Sequence, residues 1–132
     1  MTQEDKLLLL QDLSARLSYG VKVQHQHQDY LNEVQTIENI SRKYGEIETE
    51  SVLGFVDDFK PYLRPMSSMT EEEKNEYLNT FKKSIIGTDE EDGRVWTVSS
   101  IDWLNAHHFD YRGLIEKGLA IEVTKENNPY KV

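Results

Sequence analysis

Hydrophobic residues change their period along this chain, and each change marks an element. Leu9, Leu10, Leu13 and Leu17 recur at helical spacing, with Leu7 and Leu8 widening the stripe. Thr2 and Asp5 stand at capping-box spacing ahead of it, and Gln3-Glu4-Asp5 suits the positive end of a helix dipole. The pattern predicts a helix over 2–17 whose broad apolar face is buried against a sheet or a partner, core being favoured over an intermolecular face. Tyr19-Gly20 breaks it, and strict alternation follows from Val21 to Gln28, with Val21, Val23, His25 and His27 on one face. Residues 30–40 and 46–56 read as two weaker strands joined by a turn at Arg42–Gly45. Near-helical spacing of Leu31, Val34, Ile37 and Ile40 keeps a helix over 30–43 open as the alternative. Pro61 and Pro65 make 57–65 a stiff crossing loop. Thr70 and Glu73 form a capping box that opens a helix to about Lys83, with Tyr77, Leu78 and Phe81 as its buried stripe. An acidic loop at 88–93 and a short strand at 94–98 complete this part.

The stretch 102–123 is the densest in information, and the chain reads as organised around it. Ser99 is the expected N-cap of a helix, with Asp102 completing the box and Val98 packing on Trp103 as a staple. Asp110 is placed to cap a second short helix from Tyr111 to Lys117. Gly118 supplies the left-handed residue that ends it, bringing Leu114 and Leu119 together. Leu119, Ile121 and Val123 alternate as a closing strand, and a polar tail from about residue 125 frays. The fold class is therefore α+β in one domain spanning 1–132. It has an N-terminal helix, a small antiparallel sheet, helical segments and a closing C-terminal strand.

Composition narrows the function more than it names it. The chain has 132 residues, enough for a single core, and 10% aromatics, which argues against wholesale disorder. With no Cys, disulfides and thiolate chemistry are excluded. Net charge is −9, spread evenly: 11 acidic against 7 basic residues in 1–66, and 13 against 8 in 67–132. No basic block exists to displace counterions, so direct nucleic-acid binding is not expected. The leucine run at 7–10 is too short and too acidic in its flanks for a signal peptide or a membrane span, and the expected setting is cytoplasmic.

Three blocks, YGVKVQ (19–24), KPYLRPMSSMTEEE (60–73) and WLNAHHFDYRGLIEKGLA (103–120), resemble segments of uncharacterised bacterial prophage and mobile-element proteins, in the same order. The resemblance implies a mobile-element setting and no catalytic residues; residues 25–59 lie outside it.

Trp, Tyr and Arg dominate protein interfaces, so Trp103, His107, His108, Asp110, Tyr111 and Arg112 form the candidate binding cluster. The bland alternative makes Trp103 and Phe109 core, and Tyr111 and Arg112 a structural polar contact. His25 and His27 point the same way but lack a third ligand, so no metal or other cofactor is expected. The TDEEDG run lacks the ligand spacing of a calcium loop. Ser67, Ser68, Ser99 and Ser100 sit where helix starts need them, and no nucleophile elbow, zinc-protease, Walker or dinucleotide motif is present. A helix-turn-helix with YRGLIEK as reader is disfavoured by the chain's charge. The expectation is a non-enzymatic accessory or protein-binding factor of a mobile element, with an unidentified protein partner. The alternatives are an acidic inhibitor that mimics nucleic acid and a small enzyme using a His–Asp–Arg cluster.

Overall fold

A computed structural model describes residues 1–27, 33–41, 43–83 and 98–130. Helix α1 (Gln3–Arg16) has Thr2 as N-cap: the Asp5 amide donates to its Oγ1, and Thr2 N–H donates back to the Asp5 carboxylate. Strands β1 (Lys22–His25), β2 (Val34–Ser41), β3 (Glu46–Thr49) and β4 (Leu53–Phe55) form an antiparallel meander. Residues 34–41 are thus strand, and the alternation of Gln35 and Ile37 against their neighbours prevails over the helical reading. The segment 46–56 is two strands, since Thr49 N–H donates to Val52 O and closes a hairpin. Gly54 is what lets β4 lie so close: a Cβ there would stand 2.9 Å from the Phe59 ring and 3.3 Å from His25 Nε2.

Strand β5 (Phe59–Pro65) occupies the stretch expected to be loop. It pairs antiparallel with β1 and parallel with both β6 (Phe109–Asp110) and β7 (Ile121–Glu122). The sheet is therefore mixed rather than purely antiparallel, and the fold is α+β. Leu63 C=O and Arg64 N–H belong to one peptide unit and point opposite ways. Leu63 accepts from Val123 N–H and Arg64 donates to His108 O, so β7 and β6 lie on opposite edges of β5. Alternation sends the nitrogens of Pro61 and Pro65, each two residues from Leu63, toward the β7 edge. That edge is paired only at Tyr62 and Leu63, so β5 tolerates two residues without a backbone donor.

Helix α2 (Glu71–Lys83) starts at the expected box, with Thr70 N–H donating to Glu73 and Glu73 N–H to Thr70. Its inward face carries Glu73, Tyr77 and Thr80; Leu78 is exposed, against expectation, and the Phe81 side chain lies outside the described residues. Helix α3 (Val98–Ala106) is already running at Val98, which puts Ser99 inside the first turn rather than at the cap. Val98 is exposed, so the staple with Trp103 is not made. The expected acidic loop at 88–93 and the strand at 94–98, save Val98, lie outside the described residues. The main core joins α1 (Leu9, Leu10, Leu13) to the sheet (Val23, Ile37, Ile47, Phe59, Leu63) and to Leu114, Leu119 and Ala120. A second cluster, Met69, Leu104 and Phe109, sits between β6 and α2–α3.

Residues 111–118 form turns, not the expected second helix. Gly113 at φ 76° stops helical propagation after Tyr111 and Arg112. What survives is a single turn with a Schellman ending: Leu119 N–H donates to Leu114 O, Gly118 N–H to Ile115 O, and Gly118 has φ 73°. Leu114 and Leu119 are both buried in the main core, as the sequence requires. The closing strand is shorter than expected, two residues against five. The C-terminal tail is packed rather than frayed, through Tyr130.

Candidate functional site

The site grows from the end of α3. Trp103 and His107, one turn apart, stack with ring centroids at 4.0 Å, and His107 Nδ1 lies 2.9 Å from Trp103 O. Trp103 also stacks on Phe109 at 5.7 Å and leans on Tyr77 of α2 at 5.5 Å. His108 is the one non-glycine residue among those described with positive φ, at 63°. That left-handed step ends the helix and turns the chain into β6. Its ring then lies flat on Tyr130, centroids 3.5 Å apart and planes 8° from parallel. Burial holds the His108 imidazole down to about 4, helped by Arg16, His107, Arg64 and Lys22, which all oppose a further positive charge. The Tyr130 hydroxyl donates to Tyr62 O at 2.7 Å and accepts from Lys22 N–H at 2.9 Å. It thereby bridges β1 and β5 where their own pairing has ended. Burial pushes this phenol well above its ordinary range.

Arg64 reaches across from β5. Its two terminal nitrogens each donate to a Glu73 carboxylate oxygen at 2.7 Å, and its guanidinium lies 4.1 Å from the Phe109 ring centroid. This fork holds the Glu73 carboxyl down at about 2, with the Thr70 cap contributing in the same direction.

Asp110, Tyr111 and Arg112 face a different set of partners. Both Asp110 oxygens accept backbone N–H groups, from Leu114 at 2.9 Å and Ile115 at 3.0 Å, so Asp110 ties down the turn at 114–118 instead of capping the expected helix from Tyr111. Tyr111 donates to Asn105 Oδ1 at 2.8 Å, and the guanidinium carbons of Arg16 and Arg112 each lie 5.1 Å from its ring. Beneath it lies an ion cluster: Asp12 takes Arg16 Nε at 2.8 Å and lies 3.2 Å from Arg112 Nε, in ionic contact but off hydrogen-bond geometry. Arg16 Nη2 also donates to Phe109 O at 2.6 Å. Asp12 and Arg16 have no solvent exposure. Sequence reasoning missed Asp12, Arg16, Arg64, Glu73 and Tyr130 as members of this assembly. Asp12 and Arg16 carried a signal: an i,i+4 acid–base pair lying within a leucine stripe.

The six candidate residues thus gather in space but open onto separate surfaces. His107 and His108 line a cleft of about 630 Å³ with Arg64, Glu72, Glu73 and Tyr130. Asp110 and Tyr111 line another of about 580 Å³ with Met66, Ser67 and Glu116, and Arg112 lines neither. Each Asp110 oxygen already accepts a backbone N–H of the turn. Elsewhere, His25 Nδ1 accepts the His27 amide at 3.0 Å and its ring packs edge-on against Phe59 at 4.8 Å. No group of three or more metal-ligating side chains occurs among the described residues. No helix among them is long and apolar enough to cross a membrane. The chain matches no known protein family, no curated protein and no solved structure.

Proposed function

We propose that this protein is a non-enzymatic accessory factor that works by binding another protein, in the cytoplasm of a bacterium and within a prophage or mobile element. The mobile-element setting rests on the resemblance of the three blocks named above. The binding role rests on one observation. Leu7 (58% exposed), Tyr44 (62%) and Phe55 (55%) are exposed together where α1 meets the β2–β3 turn and the end of β4, and Leu53 (64%) lies two residues back along β4. Leu7, Tyr44 and Phe55 line a single groove of about 480 Å³ with Leu10, Gly45 and Val56. Apolar side chains scattered singly need no explanation, but several gathered on one surface mark contact sites. Trp103, His107, Tyr111 and Arg112 are engaged with one another and with Tyr77, Phe109 and Asp12, and the two clefts described above hold His107 and His108 in one and Asp110 in the other. The mimic alternative has its own support, because Glu46, Glu48 and Glu50 fall on alternate positions of β3 and just beyond it.

The test is affinity capture from the native host read by mass spectrometry, with reconstitution from purified components. The expected result is one stoichiometric protein partner, lost on Tyr44→Ser/Phe55→Ser and retained by the folded variant Glu116→Gln. A partner displaced by duplex DNA supports the mimic instead. Capture indistinguishable from a tag-only control overturns the binding reading.

A further inference from the structure

The outward face of the β2–β3–β4 meander alternates carboxylates with large apolar side chains. Register pairs Glu46 with Phe55 and Glu48 with Leu53, so each acid stands directly beside a hydrophobe. The inward face at the same level holds buried Ile47, and Ile40 pairs with it. A bulge between Ile37 and Asn39 sets two β2 residues against Glu48, and both Glu38 and Asn39 emerge exposed. Glu38 therefore joins the acidic side of the face. Among the described residues, none of these three carboxylates has an ion-pair partner.

The neighbouring edge is closed to strand addition where it would begin. Phe55 N–H, on the side of β4 away from β3, already donates to Asp58 at 2.9 Å. An occupant must therefore meet the side-chain face rather than extend the sheet. A second copy would set glutamates against glutamates, and a nucleic acid would meet the same repulsion. We propose that this face docks a basic amphipathic segment of a protein partner, its apolar side chains on Leu53 and Phe55 and its Lys or Arg side chains on Glu38, Glu46 and Glu48. The inference rests on the protein-binding function and names the chemistry of the partner.

The probe is a helical peptide of leucine and lysine in amphipathic order, titrated into the full chain by NMR, beside the same peptide with glutamate for lysine. The lysine peptide is expected to shift amides of β3 and β4. Its affinity should fall about tenfold in Glu38→Lys/Glu48→Lys and in Leu53→Ser/Phe55→Ser. The control Glu116→Lys/Glu126→Lys makes the same change in net charge on another exposed surface and should bind within about twofold of wild type. All six positions are exposed, so each variant is expected to keep the native amide spectrum. If one does not, Glu48→Gln and Leu53→Thr repeat the measurement. Equal losses in both charge variants, shifts on another face, equal binding of the glutamate peptide, or no binding at all overturns the proposal. A captured partner whose binding survives the face variants leaves the function standing and removes this inference alone.

Discussion

Of the three positive-φ residues in the 102–123 stretch, Gly118 and His108 differ most in how visible they are. Gly118 is legible because the change of period from Leu114 to Leu119 leaves one residue for the reversal, and only Gly reverses cheaply. No atom outside its chain neighbours lies within 4 Å of the position a Cβ would take, so strain is the whole effect of adding one. Gly118→Ala should cost about 1 kcal/mol and Gly118→Val more, measured by urea unfolding. A cost near zero for both would mean the turn is not held at positive φ. His108 gave no such sign, since a histidine at the end of a helix predicts nothing about φ. Its conformation is fixed from outside, by Arg64 on its carbonyl and Tyr130 on its ring. Its neutral state has a pH signature. As pH falls through about 6.5 the unfolded chain takes up the proton, while the folded one waits until about 4. Stability should therefore be full above about 6.5 and decline between 6.5 and 4. His108→Asn, which tolerates the same backbone, should flatten the melting temperature over that window. Glu73 acts lower, its contribution lost only as pH falls from 4.5 to about 2. An unchanged slope above pH 4.5 in the variant would remove His108 as the cause.

At the scale of elements, the capped helices were legible and the edges of the sheet were not. Thr2/Asp5 and Thr70/Glu73 announce α1 and α2 because capping is a local exchange of bonds across three residues. Strand β5 was hidden because proline removes a donor, and sequence cannot tell which edge of a strand will need one. Strand β6, two residues long, is shorter than any period can signal, whereas the alternation of Leu119, Ile121 and Val123 marked the closing strand β7 but not its two-residue length. Tyr130 was hidden among polar neighbours, yet its hydroxyl supplies the bridge that β1 and β5 lack beyond Pro61. Tyr130→Phe keeps the stack on His108 and removes only that bridge. It should cost about 1–3 kcal/mol, the range for leaving buried polar partners unsatisfied. Hydrogen exchange should quicken at the Lys22 amide, and exchange unchanged there would mean water replaces the hydroxyl without loss.

At the scale of the molecule, the candidate cluster turns out to be the place where the two ends of the chain are joined. Composition showed that charges are spread evenly, but not that three of them meet inside. Asp12 and Arg16 from α1 are fully buried, Arg112 lies partly exposed beside them, and Arg16 reaches Phe109 O in β6. Two cations share one carboxylate, so the cluster holds a net positive charge. Asp12→Asn removes the only carboxylate in ionic contact with either arginine among the described residues and leaves Arg16 desolvated without a counterion. The expected cost is about 3–5 kcal/mol, far more than a surface pair provides. Arg16→Met should be comparably harmful, because it strips Phe109 O of its donor and leaves buried Asp12 with only its off-geometry contact to Arg112. The double variant Asp12→Leu/Arg16→Met removes two buried charges together, with apolar side chains suited to the neighbouring Leu9 and Leu13. If desolvated charge is what makes each single change costly, the double variant should be less destabilised than the two single costs combined, by about 1–3 kcal/mol in a double-mutant cycle. Strict additivity would show that α1 and the C-terminal segment are held by the leucine packing alone, with the ion cluster contributing no coupling between them.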